Sequence, residues 1–427
     1  MLSRIKDYFG KRSVLASVAA LASGTAISQA INIVILPLLT RLYSPADFAV
    51  LTLYLSIVGM VSVFTTWRYE YAILVSSEDR EACSVVWLIW SISAGVSALI
   101  LAAGLGVRFL APSLLPDVLT VPVLLAMGLS LLLTGMFQAL YFYANRHKEY
   151  HRLAKNRIAG AVAVAVSSCA FGWMSAGGIG LVVASLLGQV VNWVLLAGWF
   201  FREPIGAEHR PDRNSLFSLA KRFKRYPQCL ILSGFLDRFS SQAHVLFFSY
   251  RQQTEGVGLI GLCQKVFSIP LSTVGGAISD IFRQRASEEL QKSGQCVALF
   301  WKTAGYLLAL GIVPSLLLVF FGPVLFEILF GGAWREAGVF ARIMAPMFLF
   351  GFVVSTVSNL IFVGEKPHYD LFLQILLIVA VVPFLFVGYA FGSVRAALAC
   401  YVAVYCSKYC LEFYLSWRVA RGAGREG

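Results

Sequence analysis

An apolar run of roughly 20 residues recurs twelve times along this chain. The runs lie near residues 13–39, 47–66, 84–107, 118–144, 157–175, 178–201, 226–250, 256–279, 299–322, 338–363, 369–391 and 394–417. A helix of that length just spans a hydrocarbon core, and within lipid only a helix or a closed barrel satisfies its own backbone. Each run therefore predicts a membrane-crossing α-helix. The composition excludes a soluble fold: 58% of the residues are hydrophobic and only 13% are charged, where soluble domains carry about a quarter charged. The first run is too long for the short apolar region of a cleaved leader, so it reads as an uncleaved span.

A net charge of +13 on a soluble protein would suggest nucleic acid. Here it serves orientation, because basic residues concentrate in cytoplasmic loops. With the N-terminus inside, about 26 of the 35 basic residues are cytoplasmic. They include Arg4, Lys6, Lys11, Arg12, the segment NRHKEYHRLAKNR (145–157) and the KRFKR run. Six fall outside: Arg41, Arg108, Arg251, Arg335, Arg342 and Arg395. Both termini are expected in the cytoplasm and no nucleic-acid partner is expected. The eight cysteines form no CxxC pair and no cluster with histidine, so neither a disulfide framework nor a zinc site is indicated. GVGLIG (256–261) fits a dinucleotide fingerprint but opens a membrane helix rather than following a strand, and no cofactor is expected.

The longest stretch outside the membrane, 202–225, separates an N-lobe of six spans (1–201) from a C-lobe of six (226–427) with a short tail. Its second part, SLFSLAKRFKRY, reads either as a basic amphipathic helix on the inner leaflet or as a plain linker held by charge. FAVLTLYLSIVG (48–59) aligns with LIGLCQKVFSIP (259–270) at an offset near 212, a weak sign of internal repetition of the kind transporters use.

Polar residues inside the runs follow helical spacing. In the seventh, Gly234, Asp237, Arg238, Ser241, Gln242, His244 and Ser249 share one side, while Leu232, Phe235, Leu236, Phe239, Leu246 and Phe247 take the other. The first run carries Thr25, Ser28, Gln29 and Asn32 at i, i+3, i+4 and i+7; the second carries Thr52, Ser56, Gly59 and Thr66. The eighth carries Gly261, Lys265, Ser268, Ser272 and Gly276, with Pro270 set to bend it. A charge at mid-membrane costs at least ~2.5–3.5 kcal/mol, so it implies a partner, a bundle interior or a watery cavity. Small-residue stripes also serve helix packing, and Asp237 and Arg238 could neutralise one another. Gln138, Gln189, Asn192, Asn359 and Gln374 read as interhelical hydrogen bonds, and Lys408 with Glu412 as an i,i+4 pair.

Several segments resemble the Wzx-like polysaccharide flippases of the multidrug/oligosaccharidyl-lipid/polysaccharide (MOP) exporter superfamily. They are LLTRLYSPADFAVLTLY (38–54), WRYEYAILVSSEDREA (67–82), KVFSIPLSTVGGAIS (265–279) and FGGAWREAGVFARIMAP (330–346). The resemblance implies an all-α membrane protein of two six-helix lobes forming a V around a central lumen. It implies an inner-membrane flippase for undecaprenyl-pyrophosphate-linked oligosaccharide, working by alternating access and not an enzyme, alongside a polysaccharide polymerase and a chain-length regulator. On that expectation Arg238, Lys265 and Arg41 attract the pyrophosphate, and Thr25, Gln29, Asn32, Gln242 and His244 hydrogen-bond sugar. Asp237 or His244 carries a coupling ion. Asp237 departs from a purely cationic lumen. A drug/cation antiporter of the same superfamily would favour an acidic, aromatic lumen, and a membrane glycan polymerase or ligase would carry a long outward loop.

Overall fold

The computed structural model describes residues 22–204, 206, 211–364 and 366–422. The basic start with Arg4, Lys6, Lys11 and Arg12, the first run before Ala22, Arg210 and Arg425 lie outside the described residues. Among the described residues, twelve long helices match the twelve apolar runs. They are α1 (Ala22–Leu42), α2 (Pro45–Thr66), α3 (Asp79–Leu110), α4 (Val121–Arg146), α5 (Tyr150–Trp173) and α6 (Gly177–Phe200), then α7 (Arg225–Tyr250), α8 (Thr254–Pro270), α9 (Val297–Phe330), α10 (Arg335–Val357), α11 (Pro367–Ala390) and α12 (Val394–Ala420). Shorter helices cover Glu70–Val75, Arg213–Arg222, Gly276–Ser293 and Asn359–Val363. Ten of the described helices are long and apolar enough to cross a membrane on length and composition alone; α5 and α7 are the two long ones outside that set.

Local chemistry sets the boundaries. At the start of α2, Ser44 and Asp47 form a reciprocal capping box. The Asp47 carboxylate accepts from Ser44 N–H at 2.9 Å, and Ser44 Oγ accepts from Asp47 N–H at 3.2 Å. Pro45 fills the first helical position, where its missing N–H costs nothing. Ser393 caps α12, its Oγ accepting from Ala396 N–H at 3.0 Å. After Pro270, residues Leu271–Gly275 form a π-helical turn before the chain continues as Gly276–Ser293. The missing N–H of proline makes such a turn accessible. The linker segment forms a real helix, Arg213–Arg222, with Leu219 buried and Phe217 exposed. Tyr69 Oη donates to Ala220 O at 3.0 Å, and Arg222 pairs with Glu81.

The chain divides into two compact units, one of residues 1–43 and Leu53–Phe235, the other of Ser44–Thr52 and residues from Leu236 onward. In the first, α3 packs on α4, α5 on α6, α4 on α6 and α1 on α5. An aromatic core around Trp90, Tyr143, Trp199 and Phe200 closes one end. Beside it Arg146 clamps the chain before α3, donating to Asp79 at 3.0 Å, Ile73 O at 3.1 Å and Ser76 O at 2.8 Å. In the second unit α9 packs on α10, α11 on α12, α10 on α12 and α8 on α10. A core of Phe282, Phe300, Phe352, Leu360 and Val419 lies among them. Val313, Phe320, Phe321 and Ile328 on α9 and Val379 on α11 stay exposed, as lipid-facing side chains do.

Candidate functional site

The first unit holds a cavity of about 550 Å³. Four helices build it. Ser28 and Asn32 come from α1, Phe137, Gln138 and Tyr141 from α4, Arg157, Gly160, Ala161 and Val164 from α5, and Ser185, Gly188, Gln189 and Asn192 from α6. On each helix the lining positions repeat at three and four residues, so one face of each turns inward. Close approach of α5 to α6 depends on Gly160, where an added Cβ would lie 2.3 Å from Asn192 Oδ1.

Among the described residues, Arg157 is the one charged group that lines the cavity. Its guanidinium donates to Thr25 Oγ1 and, at 2.8 Å, to Tyr141 Oη, with its centre 5.5 Å from the Tyr141 ring centroid. Among the described residues no carboxylate lines the cavity and Arg157 makes no ion pair. Around it, Ser130 donates to Gln189 Oε1 at 2.9 Å, and Asn156 donates to Asn192 O at 2.8 Å. Asn192 Oδ1 is buried without a partner. The walls thus offer one fixed positive charge, amides, hydroxyls and two aromatic faces. That combination suits a polyhydroxylated ligand bearing negative charge.

The structure gathers part of the expected site here. Asn32 and Ser28 line the cavity, and Thr25 anchors its arginine. Gln29 is half-buried on the same helix, and Arg41 is exposed in its last turn. Arg157, Tyr141 and the cavity itself were missed by sequence reasoning, which assigned Arg157 to a cytoplasmic basic segment. The signal lay in the spacing of Arg157, Gly160, Ala161 and Val164 on α5 and of Ser185, Gly188, Gln189 and Asn192 on α6.

The remaining expected residues belong to the second unit. Asp237 and Arg238, both exposed, do not pair with each other. Neighbours on a helix diverge by about 100°, and Asp237 instead accepts from Gln374 Nε2 at 3.2 Å. His244 is buried, its ring centroid 4.3 Å from that of Tyr401, with Nε2 3.1 Å from the Gln264 amide and Nδ1 unpartnered. Gln242 is half-buried. Lys265, also half-buried, places Nζ 5.4 Å from the Phe48 ring centroid, a cation–π contact. Part of the small and polar stripe is packing: a Cβ on Gly261 would lie 1.8 Å from Thr52 Oγ1, so these two helices touch there. Gln189, Asn359 and Gln374 make interhelical side-chain bonds, Asn192 accepts one only through its backbone carbonyl, Gln138 lines the cavity, and Lys408 meets Glu412 at 2.6 Å.

The fold matches solved transporters along nearly its whole length. An inward-facing multidrug resistance MATE family transporter of the MOP superfamily superposes with a TM-score of 0.72 at 15% identity, covering 95% of this chain and 96% of that one. The lipid II flippase MurJ, in an inward closed conformation, gives 0.73 at 9% identity over 94% and 89%. A MOP superfamily transporter from Pyrococcus furiosus, described as having a binding pocket of reverse polarity, gives 0.57 at 14% identity over 95% of each chain. A search of curated protein sequences returned no match. This is therefore an all-α, multi-pass membrane protein with the MOP transporter fold. By sequence it belongs to the polysaccharide biosynthesis protein family, whose family model matches residues 38–339.

Proposed function

We propose that this chain is a flippase that carries undecaprenyl-pyrophosphate-linked oligosaccharide units across the bacterial inner membrane by alternating access, for surface polysaccharide assembly. The observation that carries the reading is the polar cavity of the first unit, whose described lining holds one arginine and no carboxylate. A drug/cation antiporter needs the opposite, since a cationic drug is repelled by a fixed guanidinium and attracted by carboxylates. Family membership in polysaccharide biosynthesis and the fold shared with a lipid II flippase support the same choice.

In this reading Arg238 and Lys265 attract the pyrophosphate through charge-assisted hydrogen bonds, with Arg41 assisting. Thr25, Gln29, Asn32 and Gln242 face sugar hydroxyls. Asp237 and His244 are the groups through which an ion would couple to the cycle. The polymerase and chain-length regulator act on the delivered unit, and both termini stay in the cytoplasm.

The test is a deletion strain complemented with wild type or with the Arg238→Ala/Lys265→Ala double variant. Deletion should accumulate undecaprenyl-linked repeat units and abolish surface glycan. Wild type should restore it and the variant should not. A deletion that leaves surface glycan intact and alters drug resistance instead would reverse the assignment.

A further inference from the structure

We infer that the linker helix Arg213–Arg222 and the turn after it form a docking surface for anionic phospholipid, with Phe217 entering the acyl boundary and Lys221 and Lys224 pairing with headgroup phosphates. The inference concerns the lipid around the protein rather than its cargo, and it stands apart from the flippase reading.

The helix is fixed by one face and presents another. Leu219 is buried, and Leu216, Ala220 and Phe223 pack with it on the aromatic core of the first unit. These four are spaced i, i+3, i+4 and i+7, one side of a helix. Tyr69 Oη donates to Ala220 O at 3.0 Å, and Arg222 pairs with Glu81 in the first turn of α3. At about 100° per residue, Phe217, Lys221 and Lys224 share a second stripe, within roughly 60° of one another and roughly 110° from the packed side. All three are exposed, Phe217 at 75%. Because the packed side is tied to α3 and to Tyr69, the helix cannot roll to bury the ring.

Charge selects the occupant. From Arg213 to Tyr226 the sequence carries Arg213, Lys221, Arg222, Lys224 and Arg225 and no acidic residue. Among the described residues Lys221 and Lys224 make no ion pair, so both ammonium groups remain for a partner. A lone exposed phenylalanine is ordinary, but one followed by lysines one and two turns on is the pattern of an interfacial helix. Lysine stems lie along apolar surface while their ammonium groups stay with phosphate. Phe217 stands eight residues before Arg225, where α7 begins, a separation of roughly 12 Å at helical rise. The polar layer outside the hydrocarbon is about 5–8 Å thick on each side, so the stripe is within reach of headgroups. An acidic protein segment would pair the lysines without needing the ring among them.

The experiment replaces Phe217 of the full-length protein with the photoreactive p-benzoylphenylalanine and reads by mass spectrometry what it cross-links to under ultraviolet light. In nanodiscs of equal parts phosphatidylglycerol and phosphatidylcholine the adduct should be phospholipid. Phosphatidylglycerol should exceed phosphatidylcholine in it by at least ~5-fold, the attraction expected of even one lysine at an anionic surface. Lys221→Gln with Lys224→Gln should bring that ratio near one, and Lys221→Arg with Lys224→Arg should keep it. The same probe in place of Ser218, exposed but about 100° round the helix, should take up less lipid.

Equal labelling of the two lipids by the parent protein would overturn the inference. So would a preference that survives Lys221→Gln with Lys224→Gln, or a Ser218 probe that takes up as much lipid as the Phe217 probe. In intact cells the position 217 probe should again take up phospholipid. A polypeptide adduct there would assign this face to a protein partner, and no adduct at all would leave it to solvent; either result would sink the lipid assignment. None of these readouts measures transport, so a failed flippase assignment would leave them unchanged.

Discussion

Gly338→Ala on α10 tests whether the second unit is held by direct backbone contact between α9 and α10. A Cβ at position 338 would fall 2.3 Å from Gly322 O and 2.5 Å from Pro323 Cα. The reciprocal Cβ at 322 would fall 2.7 Å from Gly338 O. Both obstacles are backbone, so no rotamer change relieves them. Non-bonded carbons settle near 3.5–4.0 Å, so the two helices must part by about 1 Å to admit one methyl. Overpacking of this kind costs about 1–3 kcal/mol, and the better helix propensity of alanine returns up to about 1 kcal/mol. The expected net loss is about 1–2 kcal/mol. Gly305 on α9 is the control, because an added Cβ meets nothing within 4 Å. Unfolding in detergent, followed by tryptophan fluorescence, should show Gly338→Ala melting earlier than wild type and Gly305→Ala melting no earlier. The double variant with Gly322→Ala should lose less than the sum of the singles, because parted helices already have room for the second methyl. A Gly338→Ala protein as stable as wild type would refute the backbone-contact argument.

Three further outcomes are expected. Lys408 and Glu412 are paired at 2.6 Å with side chains only 11% and 9% exposed. Lys408→Met alone should therefore destabilise by about 3–5 kcal/mol, and Lys408→Met with Glu412→Leu should recover most of it; a double variant as unstable as the single would contradict this in the same unfolding assay. Arg146→Lys should lose about 2 kcal/mol because an ammonium cannot reproduce three directed bonds. Asp79→Asn, whose side chain is 44% exposed, should lose under about 1 kcal/mol. Lys265→Met should leave stability within about 1 kcal/mol of wild type, since the ammonium's cation–π pairing with Phe48 is partly open to solvent and weak. Its flipping rate in proteoliposomes should nevertheless fall at least ~10-fold, and an unchanged rate would remove Lys265 from the transport path.

The spans were legible in the sequence because their cause is local: length, apolarity and basic flanks need no knowledge of neighbours. The same holds for the Lys408–Glu412 spacing. The cavity was not legible, because it is made by convergence. Arg157 closes a run of basic residues, and charge alone cannot distinguish a cytoplasmic flank from the first inward turns of a span. Its partners Thr25 and Tyr141 are 132 and 16 residues away in the chain. The stripes gave a mixed result for the same reason. Spacing shows that Thr52 and Gly261 each face one way, but only tertiary placement shows that they face each other. Asp237 likewise found Gln374 rather than its sequence neighbour, 137 residues distant. The left-handed pair Trp67 and Arg68, with φ of 47° and 61°, had no sequence signal, since neither residue is glycine.

The two long helices that fall outside the apolar set both carry charge along their length, Arg157 on α5 and Asp237 with Arg238 on α7, while Lys265 sits on α8 inside that set. This follows from how a membrane distributes cost. A helix facing lipid over most of its surface cannot carry ionised groups without losing several kcal/mol each, and α9, with only 17% of its most apolar window buried, is composed accordingly. A charged group on a long membrane helix is easier to hold where it finds directed partners. Arg157 finds Thr25 and Tyr141, and Asp237 finds Gln374.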